Sequence, residues 1–118
     1  MVSQSKTLDV EEALLRFNGN MAMFSKLLKR FVEINSNIEE KTAKIVSSGN
    51  SEEIFIFFHS IKGGFGNLSA KNLYEKTIVL ENFARSGDLE SIKNELPSFY
   101  ALYDQLKIAV AELEKSNP

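Results

Sequence analysis

The chain predicts an all-α fold: an antiparallel up-down four-helix bundle with an additional short N-terminal helix. Three observations point there. Only two prolines occur in 118 residues, so little interrupts a helix. Apolar residues recur at three- and four-residue intervals through most of the chain, and no stretch shows the two-residue alternation of a half-buried strand. Glycines cluster mostly where one apolar stripe ends and the next begins, which makes the connections short and sequential helices antiparallel neighbours.

Asp9 followed by Glu12 reads as a capping box that opens a short first helix, and Asn18-Gly19 closes it. Asn20 can cap the second. Its apolar positions Phe24, Leu27, Leu28, Phe31, Ile34, Ile38 and Ile45 predict one helix of about 25 residues, ending at Ser47-Ser48-Gly49. Asn50 or Ser51 caps the third, where Glu52 and Glu53 suit the positive N-terminal end. Ser69 can cap the fourth, with Leu73, Thr77, Leu80 and Ala84 on one face, and Gly87 ends it. Asp88 caps the last segment. Pro97 is expected to break or kink it, lacking an N–H and clashing one turn back. Beyond it Phe99, Leu102, Leu106, Val110 and Leu113 continue an apolar stripe.

A chain of this length is long enough for a single core, and 43% apolar with 25% charged residues is ordinary for a globular domain. The domain is expected over 8–115, with 1–7 a flexible leader and 116–118 a tail. A net charge of −2 offers no basic field for nucleic acid or an anionic membrane. The absence of cysteine excludes a disulfide framework and thiolate metal sites and fits a reducing compartment. "MVSQSKTLDV" has no apolar signal core, and no apolar run approaches the roughly 18 residues of a membrane span. The expectation is a cytoplasmic, monomeric domain, free-standing or part of something larger.

The sole histidine, His59, lies in "FIFFHSIKGGFGNLSA". With His59 at zero on a helical wheel, Ile54, Phe57, Phe58, Ile61, Phe65 and Leu68 fall between about 160° and 260°, so the imidazole points away from the core face. A lone histidine is more often an incidental residue than a reactive one, so its neighbours decide. Gly63 and Gly66 lie at about +40° and −20° on its own stripe, Lys62 flanks it one turn on, and Asn67 flanks the other side. Helix-interior glycines at 63, 64 and 66 together forfeit roughly 2–3 kcal/mol relative to alanine. Close helix packing accounts for Gly64, nearer the core. Gly63 and Gly66 read instead as backbone bared for a visiting protein, with Phe55 and Ile56 adding apolar surface for docking.

An outward imidazole is a nucleophile at physiological pH. Lys62 alone would be an ordinary solvated lysine, but its phase lets the ammonium pair with a phosphoryl group on His59. Other chemistries fare worse. No second histidine supports a metal site, Ser60 points about 100° from His59, and "GGFG" follows a helical pattern rather than a strand. Nothing visible binds ATP, so a partner must deliver any phosphoryl group.

These residues resemble a family. "HSIKGGFGNLSA" is similar to the phosphoacceptor signature of histidine-containing phosphotransfer (HPt) domains of phosphorelays, with His59, Lys62, Gly63 and Asn67 in the matching positions. The resemblance runs from about Leu8 to Leu113. It includes "LDVEEALLRFNGNMAMFSKLLKRF" and "LYEKTIVLENFARSGDLESIKNELP", with Leu80-Glu81 and Gly87-Asp88. Ser69 stands where the family usually has glycine, and Thr77 where alanine is common; Phe65 is larger than usual but points inward.

The resemblance implies reversible transfer from a receiver-domain aspartyl phosphate to Nε2 of His59, then to an aspartate on a second receiver. It implies no cofactor or metal on this domain, Mg²⁺ on the receiver, and a carrier rather than an enzyme. The implied partners are response-regulator receivers and a hybrid sensor histidine kinase, in cis or in trans; the chain would then be cytoplasmic or the cytoplasmic portion of a membrane sensor kinase. Two alternatives stay open: the phosphoacceptor domain of a chemotaxis-type histidine kinase, and a scaffold that docks receivers without being phosphorylated. The dimerisation domain of ordinary sensor kinases fits less well, since Ser60 rather than an acidic residue follows His59 and no proline comes soon after.

Overall fold

In the computed structural model, which describes residues 6–116, every regular element is helical and no strand occurs among the described residues. Six helices follow one another: α1 (Val10–Arg16), α2 (Met21–Ile34), α3 (Ile38–Ser47), α4 (Ser51–Asn67), α5 (Lys71–Arg85) and α6 (Leu89–Ser116). Of the expected leader, 1–5 lies outside the described residues, while the Lys6 carbonyl accepts from the Asn72 N–H at 2.9 Å. Of the expected tail, Ser116 is the last residue of α6 and 117–118 lies outside the described residues. No helix among the described residues is long and apolar enough to cross a membrane.

The caps are set by local chemistry. Asp9 accepts from Glu12 N at 3.1 Å, Asn20 from Met23 N at 2.9 Å, Asn50 from Glu53 N at 3.1 Å and Asp88 from Ser91 N at 3.1 Å. The capping box is only half made, because Glu12 turns its carboxylate to Ser69, Lys71 and Arg16 instead of back to Asp9. Gly19, Gly49 and Gly87 take left-handed backbone in the turns after α1, α3 and α5.

Three expectations are corrected. The single helix of about 25 residues is two, interrupted at Asn35-Ser36-Asn37, three side chains that compete with the helical backbone. The Phe31 carbonyl receives both the Asn35 N–H at 3.0 Å and the Asn35 side-chain amide at 2.9 Å. The chain then tightens through Ser36 N to Glu33 O and Ile38 N to Asn35 O, so α2 ends and α3 restarts. Second, Pro97 does not break the last helix: α6 runs through it, with Leu96 and Phe99 buried on either side. Core packing by those neighbours outweighs the hydrogen bond that proline cannot donate. Third, Ser69 does not cap α5. It takes left-handed backbone at φ 58°, and Ala70 occupies the cap position without a side-chain bond. The buried Ser69 hydroxyl donates to Glu12 at 2.8 Å and accepts from Arg16 at 2.7 Å.

Phe99 of α6 sits at the centre of the core, its ring edge-on to Phe58 at 5.9 Å and to Phe65 at 6.4 Å. Phe31 of α2 meets Phe65 edge-on at 5.5 Å. These contacts fix the rotation of α4 about its axis. α4 packs chiefly on α5, and α5 on α6. His59 faces Glu81 while Gly66 faces Tyr74, so positions ascend along α4 as they descend along α5: the two helices are antiparallel. Leu73, Thr77, Leu80 and Ala84 line the buried face of α5, where the Thr77 hydroxyl donates to the Leu73 carbonyl at 2.6 Å.

Candidate functional site

Since Phe58 and Phe65 are held inward, the next position round the helix from Phe58 must point out. His59 does, with 62% of its side chain exposed. Ile54 and Leu68 are buried as expected, whereas Phe57 and Ile61 are half-buried at the edge of the core.

Beneath the imidazole lies a residue the sequence did not single out for the site. Glu81 of α5 is only 5% exposed and accepts two hydrogen bonds, from His59 Nδ1 to Oε2 at 2.9 Å and from Lys62 Nζ to Oε1 at 3.0 Å. Burial is the largest single influence on its carboxyl and pushes it up. The hydrogen bonds and charges of Lys62 and His59 together outweigh burial and hold the carboxyl below its ordinary range. An ionised carboxylate can only accept, so the bond requires a proton on Nδ1, and in the neutral ring that tautomer leaves the Nε2 lone pair free. A signal for Glu81 was present: it follows the buried Thr77 by four residues, and a carboxylate flanking a buried stripe needs a partner. What could not be read was which partner.

Lys62 is 20% exposed and engaged by Glu81, rather than a freely solvated side chain. Its ammonium has three donors, and one bond to Glu81 leaves two for another acceptor. Gly63 is exposed, and a Cβ added there would meet nothing within 4 Å, so the backbone beside His59 is open. Gly66 departs from the expected open strip: its missing side chain admits the ring of this chain's own Tyr74, 3.1 Å from where a Cβ would stand. Gly64 is a close-packing glycine as expected, since a Cβ there would lie 2.4 Å from Phe31 Cε1.

Ile56 is exposed. Phe55 is half-buried and turned onto the site: its ring stacks on the imidazole at 5.5 Å, 17° from parallel, and the Arg85 guanidinium lies 5.0 Å from its centroid. Asn67 ends α4, exposed, its carbonyl accepting from Arg16 at 3.3 Å. His59, Lys62, Gly63 and Asn67 border an open groove of about 590 Å³ whose far wall carries Glu12, Arg16 and Lys71. Lys71 donates to Glu12 at 2.7 Å, and that bond, with those from Ser69 and Arg16, holds the Glu12 carboxyl down at about 2. Among the described residues no three His, Asp or Glu side chains gather to hold a metal ion.

The arrangement can therefore present one nucleophilic nitrogen at a fixed angle, with an ammonium beside it and bare backbone one turn on. Set against known proteins, the chain matches no family model, no curated protein and no solved structure.

Proposed function

We propose that the chain is a phosphorelay carrier of the histidine-containing phosphotransfer kind, with α2 and α3 together forming one arm of an up-down four-helix arrangement and α1 added at its N-terminal end. The observation that carries this reading is the exposed imidazole whose Nδ1–H is held by a buried carboxylate. Nε2 of neutral His59 attacks the phosphorus of an aspartyl phosphate on a receiver domain. The N–P bond forms as the P–O bond to the aspartate breaks, and the aspartate leaves as carboxylate. No proton moves. The ring keeps its Nδ1 proton, and its new positive charge faces Glu81. Passage to a second receiver aspartate reverses these events.

Phosphoryl transfer of this kind depends on positioning and charge, which a helix-mounted imidazole with a fixed tautomer supplies. Mg²⁺ belongs to the receiver, because the buried carboxylate here is already occupied by His59 and Lys62. Gly63 and the exposed Ile56 suit close approach by that partner.

The test is incubation with a phosphorylated receiver domain. Wild type is expected to gain an acid-labile, base-stable phosphate, and Lys62→Ala to gain it more slowly. His59→Gln, altered at an exposed position, should stay folded and gain none. Label on the His59→Gln protein, or none on wild type with any receiver tried, would overturn the assignment.

A further inference from the structure

We propose that a water molecule is a fixed ligand of this fold, bound by the buried Tyr103 hydroxyl at the break between α2 and α3; His59 has no part in it. Tyr103 of α6 is 2% exposed. Its hydroxyl is the one buried side-chain polar atom that finds no hydrogen-bond partner among the described residues. Left unpaired, it would forfeit the bonds it makes to water in the unfolded chain, and folded proteins rarely tolerate that. Burial pushes Tyr103 up to about 12, so the hydroxyl stays protonated, able to donate as well as accept.

The same side chain lines a small cavity of about 30 Å³, with Ser36 and Glu39 from the break and Tyr100, Asp104 and Lys107 from α6. Space of that size takes one or two waters, and a bound water needs roughly two to four polar partners. The break supplies them. Asn35-Ser36-Asn37 interrupts the helical ladder, and Asn37 holds the cap position of α3 without a side-chain bond. First-turn N–H groups of α3, Glu39 among them, thus lack the acceptor that Asn20 and Asn50 give to α2 and α4. The Ser36 hydroxyl adds a further donor and acceptor. Tyr100 reaches the Glu39 carbonyl only at 3.5 Å, the outer limit of a bond, so it does not close the break by itself.

Size and charge select water over an ion. Lys107 Nζ is paired with Asp104 at 3.2 Å and lies 5.9 Å from the centre of the Tyr103 ring, so its charge is already answered. The remaining charge on the lining is the Glu39 carboxylate, which repels an anion. For a metal cation, no three acidic or histidine side chains gather among the described residues. A neutral molecule that both donates and accepts fits both the hydroxyl and the interrupted backbone. Bound there, it ties α6 to the point where the α2–α3 arm has lost its own hydrogen bonds.

The experiment uses the full chain as wild type and as Tyr103→Phe, which keeps the ring in the core and removes only the hydroxyl. Water-selective NOE spectroscopy should show a long-lived water against the Tyr103 ring protons and the Glu39 amide in wild type, and lose it in Tyr103→Phe. The folding equilibrium constant of Tyr103→Phe should fall roughly three- to tenfold, read as a lower urea midpoint at unchanged slope. A wild type without that water contact would overturn the proposal. So would a contact at Glu39 that Tyr103→Phe leaves intact, since the backbone alone would then hold the water. A higher urea midpoint in Tyr103→Phe would overturn it too, because removing a hydroxyl stabilises a fold only where that hydroxyl was buried unpaired.

Discussion

Replacing Glu81 by glutamine probes the site most directly, since the change keeps volume and removes charge. The side chain is 5% exposed and accepts one hydrogen bond from each of two partners. Charge-assisted bonds contribute about 1.5–3 kcal/mol each when buried. His59 is 62% exposed and regains water easily, so its bond counts for well under 1 kcal/mol. Lys62, 20% exposed, loses more when its acceptor becomes neutral. Glutamine can still accept one bond, and the expected net cost is about 1–2 kcal/mol of folding stability. Urea unfolding reads this as a lower midpoint at unchanged slope.

The functional consequence is larger than the structural one. The glutamine amide can donate to Nδ1, which moves the ring proton to Nε2 and occupies the reacting lone pair. Under the proposed carrier function, phosphorylation by a receiver should slow about tenfold or more, the scale on which a partner that orients a histidine matters. The pH dependence has a definite sign. Glu81 is held below its ordinary 4.5, so its stabilisation is complete above that value and fades as pH falls through the lower folded value. Wild type and Glu81→Gln should therefore differ in stability at neutral pH and converge in acid. Equal stability and equal transfer rates at pH 7 would show that Glu81 neither orients nor supports His59.

Two further outcomes concern the frame around the site. Gly63→Ala should raise stability by about 0.8–1 kcal/mol, because the new methyl meets open space and alanine favours the helix. Gly64→Ala gains the same propensity but drives a methyl to 2.4 Å from Phe31, whose ring is held against Phe65; overpacking of about 1–3 kcal/mol should leave it net destabilised. Changes of the same sign in both variants, measured by urea unfolding, would refute the close α2–α4 crossing. At the far wall of the groove, Glu12 is held down at about 2, so its support for α1 is present above its ordinary 4.5 and lost as pH falls toward 2. Glu12→Gln should remove that part of the acid dependence, and an acid-unfolding curve identical to wild type would exclude it.

Much of this was legible because it is local. Asn20, Asn50 and Asp88 bond N–H groups three residues on, and a spacing of three and four residues places Phe58 and Phe65 opposite His59 whatever they pack against. The misses have local signals that lost to other forces. Asn35-Ser36-Asn37 interrupts a continuous apolar stripe, and Pro97 stays helical because Leu96 and Phe99 are buried around it. Gly66 lies on the stripe of Gly63, yet a neighbouring helix fills the space above one and not the other.

The sequence by itself determined that this chain is helical and that its one imidazole leaves the core face, since both follow from periodicity within single segments. Only the tertiary structure decided what stands beneath that imidazole. Glu81 is 22 positions from His59 and reaches it because antiparallel packing of α4 on α5 lays the two side by side. Phe55 and Arg85 meet over the same antiparallel seam. Hydrogen bonds and stacking act over a few ångströms of space, and distance along the chain does not say which groups will come that close.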